Sequence, residues 1–437
     1  MIKKTFTICS ALVLLSTGFL WSCDSSIDTA DQAASGEYTL IIEGFDWGPA
    51  VSKVILPLQR EVAKVDKTAY RVTAKRSTDL AKLSGPSANG GRNVIHAYIS
   101  DDRGNPIQSG KHITLVLEVG PNLPLASPIQ YLRVDGRGLN KWIKYELVVE
   151  STTSKEVWTE EADRILPLID EFDLSGKYIH QKKQKLSFAA FQPQNKKGKS
   201  PLIIWLHGGG EGGTDPTIPL IANRAANYAA PEIQVIFGGA YVLVPQSPTF
   251  WMQNASGEYT TGKENDIYNE SLMALIQDYV DAHPGIDKDR IYVGGCSNGG
   301  YMSLKLILEY PDYFAAGYIS ALAYQAKYIK DEQIQRIKNV PIWFIHSKDD
   351  PVTVADETVV PLYHRLVAAG STNVHFSFYD HVVDLTGVFG GTGFHYSGHW
   401  SWIYSHTNHA RLGFDGKPVI VDGKAVNVMD WMAAQSR

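Results

Sequence analysis

The chain has 437 residues, enough for two or three domains of ordinary size. Hydrophobic residues make up 44% and charged residues 20%, the balance of a globular protein with a core of useful size. The net charge is about −5, and Lys and Arg are spread along the chain without a basic block or stripe, so charge gives no reason to expect a nucleic-acid partner.

Lys3 and Lys4 precede an apolar run from Ile8 to Trp21 that is too short for a stable transmembrane span, so residues 1–22 read as a secretory signal. The run ends in Leu20-Trp21-Ser22-Cys23, which resembles the bacterial lipobox. That resemblance implies cleavage before Cys23, a lipid on that cysteine, and a protein exported to the cell envelope and anchored in a bilayer on its periplasmic or extracellular face. The polar tract through Ser35 suits a tether over residues 23–36. Cys9 falls in the signal and Cys23 at the anchor, so Cys296 stands alone in the mature protein and no intramolecular disulfide is available.

Residues 37–155 read as a small antiparallel β-sandwich. Gly36 to Gly44 is a short apolar stretch. Ile113, Leu115, Leu117 and Val119, then Ile143, Tyr145, Leu147 and Val149, recur with the period of two that half-buried strands require. Asp101 to Asn105 reads as a turn between strands. From residue 160 to 437 the pattern changes to continuous apolar runs of the kind that parallel sheets bury on both faces: Leu202–Leu206, Tyr241–Val244, Ile291–Val293, Phe314–Ile319, Ile342–Ile345 and Val374–Tyr379. Between them, Leu272, Leu275, Ile276, Tyr279 and Val280 share one helix face. Strand–helix–strand alternation predicts an α/β fold with a doubly wound, mostly parallel sheet.

Gly295-Cys296-Ser297-Asn298-Gly299 is a G-x-S-x-G pattern between an apolar strand and a helix. A nucleophilic serine has to stand proud on a sharp strand-to-helix turn, with glycines two residues to either side leaving room for the backbone. Ser297 is therefore the expected nucleophile, and the Asn298 N–H an oxyanion donor at a helix N-terminus. Cys296 reads as a small apolar residue beside the turn. The strand Leu202–Leu206 runs into His207-Gly208-Gly209-Gly210-Glu211, a glycine-rich loop of the type that supplies the second oxyanion donor, from Gly209 or Gly210. A phosphate loop is excluded because no Gly-Lys-Ser/Thr follows. His207 is expected to be structural.

The acid follows a late strand, at Asp350, with Asp349 as the close alternative. Candidates for the base are His375, His381, His395, His399, His406 and His409. His399, after the glycine-rich loop Thr386–Gly393, is preferred over His395. His399, His406 and His409 match no standard zinc spacing, and neither a metal nor another cofactor is expected.

Trp205 to Gly213, Val244 to Pro248 and Gly294 to Met302 together resemble bacterial esterases related to dienelactone hydrolases, polyhydroxybutyrate depolymerases and prolyl-oligopeptidase-like peptidases. With Glu37 to Pro49, which looks like the start of an N-terminal immunoglobulin-like domain, the likeness is to α/β-hydrolase esterases carrying such a domain, over nearly the whole mature chain. It implies carboxylic-ester hydrolysis of a small-molecule or polymer-derived substrate and supports Asp350 and His399 as acid and base. Phe250, Trp251, Trp400 and Trp402 are candidates to line an acyl or aryl pocket. A serine peptidase and a non-catalytic surface binding lipoprotein are the alternative functions. The sequence is also compatible with a homo-oligomer.

Overall fold

The computed structural model describes residues 35–181, 184–194 and 198–437; the expected signal, Cys23 and nearly all of the tether lie outside them. The first domain is built from β1 (Ser35–Phe45), β2 (Gly48–Val62), β3 (Tyr70–Ser77), β4 (Asn89–Arg92), β5 (Val94–Ser100), β6 (Gly110–Leu117), β7 (Ile129–Val134), β8 (Arg137–Trp142), β9 (Lys144–Ser151) and β10 (Val157–Ile165). Eight of them hydrogen-bond in the order β4-β3-β9-β10-β1-β2-β6-β5, while β7 and β8 form a separate hairpin. Neighbours run antiparallel except β1 with β10. The period-two residues Ile113, Leu115, Leu117, Tyr145, Leu147 and Val149 all point into the domain core. Because β10 ends at Ile165, the first sheet continues past residue 155.

The second sheet contains β11 (Asp173–Ile179), β12 (Lys185–Phe191), β13 (Ser200–Leu206), β14 (Tyr241–Gln246), β15 (Ile286–Cys296), β16 (Ala316–Ser320), β17 (Ile342–Ser347) and β18 (Val374–Tyr379). Their order is β11-β12-β14-β13-β15-β16-β17-β18. The strands from β14 to β18 pair in parallel, and β11 and β12 add an antiparallel edge. This is the α/β-hydrolase type of mixed sheet. The six apolar runs became β13 to β18, since strands covered on both faces need side chains that are apolar on both. The edge strand β11 alternates exposed and half-buried residues and contains no fully buried one, so no apolar run announces it. In the helix Asn269–Ala282, the predicted face of Leu272, Leu275, Ile276, Tyr279 and Val280 is buried. Among the described residues no helix is long and apolar enough to cross a membrane.

The two domains share one apolar cluster, in which Leu40 and Val54 of the first domain join Ile218, Leu220 and Tyr228 of the second. Trp142 Nε1 donates to Thr217 Oγ1 at 2.9 Å, and Arg224 Nη1 donates to Asp46 Oδ1 at 2.6 Å. These contacts set the β7–β8 hairpin and the β1–β2 turn against the carboxyl ends of the parallel strands, where open α/β sheets bind ligands.

Candidate active site

Ser297 joins β15 to the helix Asn298–Glu309 with φ 54° and ψ −113°. A non-glycine residue in that region carries backbone strain and persists only where its surroundings hold it. Here Ser297 N donates to the Ser320 carbonyl at 3.1 Å, and its own carbonyl accepts from Tyr301 N at 2.9 Å. The flanking glycines make the turn sterically feasible. A Cβ on Gly299 would lie 1.8 Å from the Leu206 carbonyl oxygen and 2.7 Å from that of His207, and one on Gly295 would meet the Gly299 backbone at 2.6 Å. Both obstacles are backbone atoms that cannot swing aside. Gly299→Ala is therefore expected to cost about 3 kcal/mol of stability, read as a lowered melting temperature with loss of activity. Unchanged melting would show that the elbow is not packed this tightly.

Asn298 is the first residue of that helix, so its N–H is one of the donors left without an intrahelical acceptor. Its side-chain Oδ1 accepts from Met252 N at 3.0 Å. Opposite lies the loop His207–Gly213, in which Gly209 to Glu211 form a short helical turn. Gln246 Nε2 donates to the Glu211 carbonyl and Gly213 N to the Ser247 carbonyl, both at 2.8 Å, so the Val244–Pro248 segment pins this loop. His207 is fully buried. Its Nδ1–H donates to the Gly208 carbonyl at 2.6 Å and its Nε2 accepts from Ser247 N at 3.1 Å. Burial pushes its pKa down to about 4, so it is a neutral strut of the loop. Cys296 is 1% exposed and belongs to the same apolar core as Tyr318 and Trp343. Burial pushes its thiol well up, the opposite of what a thiolate nucleophile needs.

Asp350 is 6% exposed. It accepts from Val352 N at 2.8 Å, Thr353 N at 3.0 Å and Thr353 Oγ1 at 2.6 Å. His399 Nδ1 lies 2.9 Å from Oδ2 and 3.1 Å from Oδ1. Burial alone would raise this carboxyl, but hydrogen bonds from His346 and His399, the His399 charge and the Thr353 hydroxyl overcome it and hold the group well below the usual carboxylate range. An ionised Asp350 fixes the His399 tautomer with the proton on Nδ1 and a free Nε2. His346 is a partner that pattern reading missed. It lies four residues before Asp350, with Nε2 2.7 Å from the Thr353 carbonyl and 3.3 Å from Asp350 Oδ2. Its position at the buried end of a strand was the available signal.

The other acidic and basic candidates go elsewhere. Asp349 bonds His381 at 2.8 Å and the Ser347 hydroxyl. His395 stacks on His381 with ring centroids 4.0 Å apart and reaches the Thr392 carbonyl. His375 flanks Trp343 and Trp431. His406 is buried against Trp205 and Tyr228, and His409 is exposed. Asp384 accepts from the N–H groups of Thr386, Phe389 and Gly391 and so gathers the long glycine loop around itself. After that loop, Gly398 approaches so closely that a Cβ would lie 2.2 Å from Asp349 Oδ1 and 2.7 Å from the Asp349 carbonyl carbon. That contact delivers His399 to Asp350.

Ser297, Asn298, Gly209, Gly210 and His399 line one cavity of about 670 Å³. Its walls include Trp47, Tyr131 and Asn140 of the first domain and Tyr259, Trp400 and Trp402 of the second. Two of the four expected aromatics do not line it. Phe250 and Trp251 are 3% and 0% exposed. Phe250 lies beneath Tyr259, rings 4.0 Å apart, and Trp251 lies against His207. The exposed lining positions fall instead to Tyr131 and Tyr259, whose hydroxyls tolerate a wet surface.

Residues 37–161 match the immunoglobulin-like N-terminal domain of esterases, and residues 190–380 match the phospholipase/carboxylesterase family. The chain belongs to the α/β-hydrolases of esterase type that carry an immunoglobulin-like domain. The hydrolase shares its fold with a thermostable esterase of known structure, at a TM-score of 0.71 and 24% identity, over 92% of this chain and 100% of that one. A Pyrococcus horikoshii acylaminoacyl peptidase matches at 16% identity and a TM-score of 0.38, over 61% of this hydrolase and 46% of the peptidase. A ferulic acid esterase matches at 15% and 0.39, over 53% and 92%. No curated protein matches the hydrolase.

Proposed function

We propose that the protein is a serine carboxylesterase with Ser297 as nucleophile, His399 as base and Asp350 as the residue that orients it. The observation that carries this reading is the Asp350–His399 bond at the edge of the cavity into which the strained Ser297 elbow opens. His399 Nε2 takes the Ser297 proton as Oγ attacks the ester carbonyl, and Asp350 stabilises the resulting imidazolium. The oxyanion is held by the Asn298 N–H and an N–H of the Gly209–Gly210 turn; losing one such donor costs about 10²–10³ in kcat. His399 returns the proton to the departing alcohol, leaving an acyl group on Ser297. Water, deprotonated by the same histidine, then releases the acid.

The five Trp and Tyr side chains around the cavity favour an ester with an aromatic or other flat apolar group over a short alkyl ester. The test is hydrolysis of p-nitrophenyl and aryl-acyl esters over a range of acyl sizes by the mature protein. The expected result is kcat/KM rising at least tenfold from acetyl to an arylalkanoyl group. Peptide cleavage without ester cleavage would overturn the esterase reading.

A further inference from the structure

Glu211 takes no part in the steps above, yet it is a carboxylic acid in the wall of the same cavity, only 4% exposed. Burying a carboxylate is unfavourable unless it is paired, and the donors that reach this one are neutral. Asn140 Nδ2 donates to Oε1 at 2.6 Å, and the N–H groups of Gly208 and of Glu211 itself point at the carboxyl. Asn140 belongs to β8, so this bond runs from the immunoglobulin-like domain into the oxyanion loop. The surrounding groups are few. Gln246 on β14 binds the Glu211 carbonyl, His207 after β13 is neutral, and Cys296 at the end of β15 is an un-ionised thiol next to Ser297. Arg137 on β8 lies over the Phe250 ring, 5.4 Å from its centroid. Tyr131 and Tyr259 stand on the rim.

We propose that Glu211 is the positioning residue of the oxyanion loop and that Asn140 holds it in place across the domain boundary. The turn Gly209–Glu211 carries the expected donors at one end and this carboxyl at the other, so fixing the carboxyl fixes the donors. A carboxylate at this place sets a second negative charge beside the developing oxyanion and opposes it. Burial pushes the Glu211 pKa up to about 7, and the Asn140 hydrogen bond partly offsets that rise. The neutral acid therefore prevails below about pH 7, and kcat falls as pH rises through that value.

The proposal rests on the esterase reading, and the experiment separates the two. The pH profiles of kcat and KM are measured for the wild type, Glu211→Ala, Glu211→Gln and Asn140→Ala, with Ser297→Ala as the blank. Glu211→Ala is expected to lose tenfold or more in kcat with little change in KM. Glu211→Gln keeps an acceptor for Asn140, recovers most of that loss and lacks the alkaline limb. Asn140→Ala lowers kcat and moves the limb to higher pH. A limb unchanged in both Glu211→Gln and Asn140→Ala overturns the proposal while leaving the esterase intact. Melting curves give a readout independent of turnover. An acid whose pKa is raised by folding binds more protons folded than unfolded between its ordinary 4.5 and about 7, so stability is lost across that window as pH rises. The wild type should lose stability relative to Glu211→Gln from pH 4.5 to 7; parallel curves mean that Glu211 is not held as the acid.

Discussion

Ser297→Ala is expected to abolish ester hydrolysis, with kcat falling by about 10⁶ to what binding and the oxyanion donors alone sustain. The substitution removes a single oxygen from a half-exposed position. It leaves the Ser297 N–H to the Ser320 carbonyl in place, as well as the close contact of Gly299 with Leu206. Alanine pays the same positive-φ strain as serine, so melting should barely move. The loss is therefore chemical: no atom remains that can form the acyl-enzyme. Steady-state hydrolysis and active-site titration with an organophosphate both read it. An alanine variant with a tenth of wild-type activity would mean that another nucleophile operates, and the buried thiol of Cys296 is too high in pKa to be one.

Asp350→Asn should lower kcat by about 10⁴ with little loss of structure. Asparagine can still accept from Val352 N and Thr353 N through its carbonyl. Its amide then faces His399 Nδ1 as a donor, so the ring must place its proton on Nε2. The nitrogen that should receive the Ser297 proton is thereby blocked. Asp349→Asn changes only the bonds to His381 and Ser347 and should remain within about threefold of wild type. If the two variants behaved alike, the assignment of the acid would fail. Comparing His399→Ala with His395→Ala probes the same division from the basic side, because His395 lies on His381 and away from Asp350.

Both substitutions act through features that differ in how far the sequence reveals them. The elbow was legible because everything it needs is local. One strand, two glycines, a serine and a helix start lie in consecutive residues, and the steric demand on Gly295 and Gly299 comes from a turn that any such stretch must make. The six parallel strands were legible for a similar reason, since burial on both faces forces unbroken apolar runs. The proposed acid was legible only as a pair, because Asp349 and Asp350 share one loop, and which carboxyl turns inward depends on the Thr353 and Val352 donors that receive it.

The sequence by itself determined the fold class, the strand–Ser297–helix elbow and the glycine loop, because short-range sterics and hydrophobic periodicity act over a few residues. Only the tertiary structure decided which histidine meets Asp350. That choice depends on how closely Gly398 can approach Asp349, a contact between segments 49 residues apart like the His399–Asp350 bond itself, while His395 stacks on His381 instead. It alone brought His346 against the acid, moved Phe250 and Trp251 beneath the cavity, and set Trp47, Tyr131 and Asn140 of the first domain into its wall. Glu211 shows the reason most directly. In the sequence it is one more charged residue after a glycine run; its burial and its bond to Asn140, 71 positions away, arise only when the two domains pack. A side chain's charge state follows from what surrounds it, and those surroundings are assembled from distant parts of the chain.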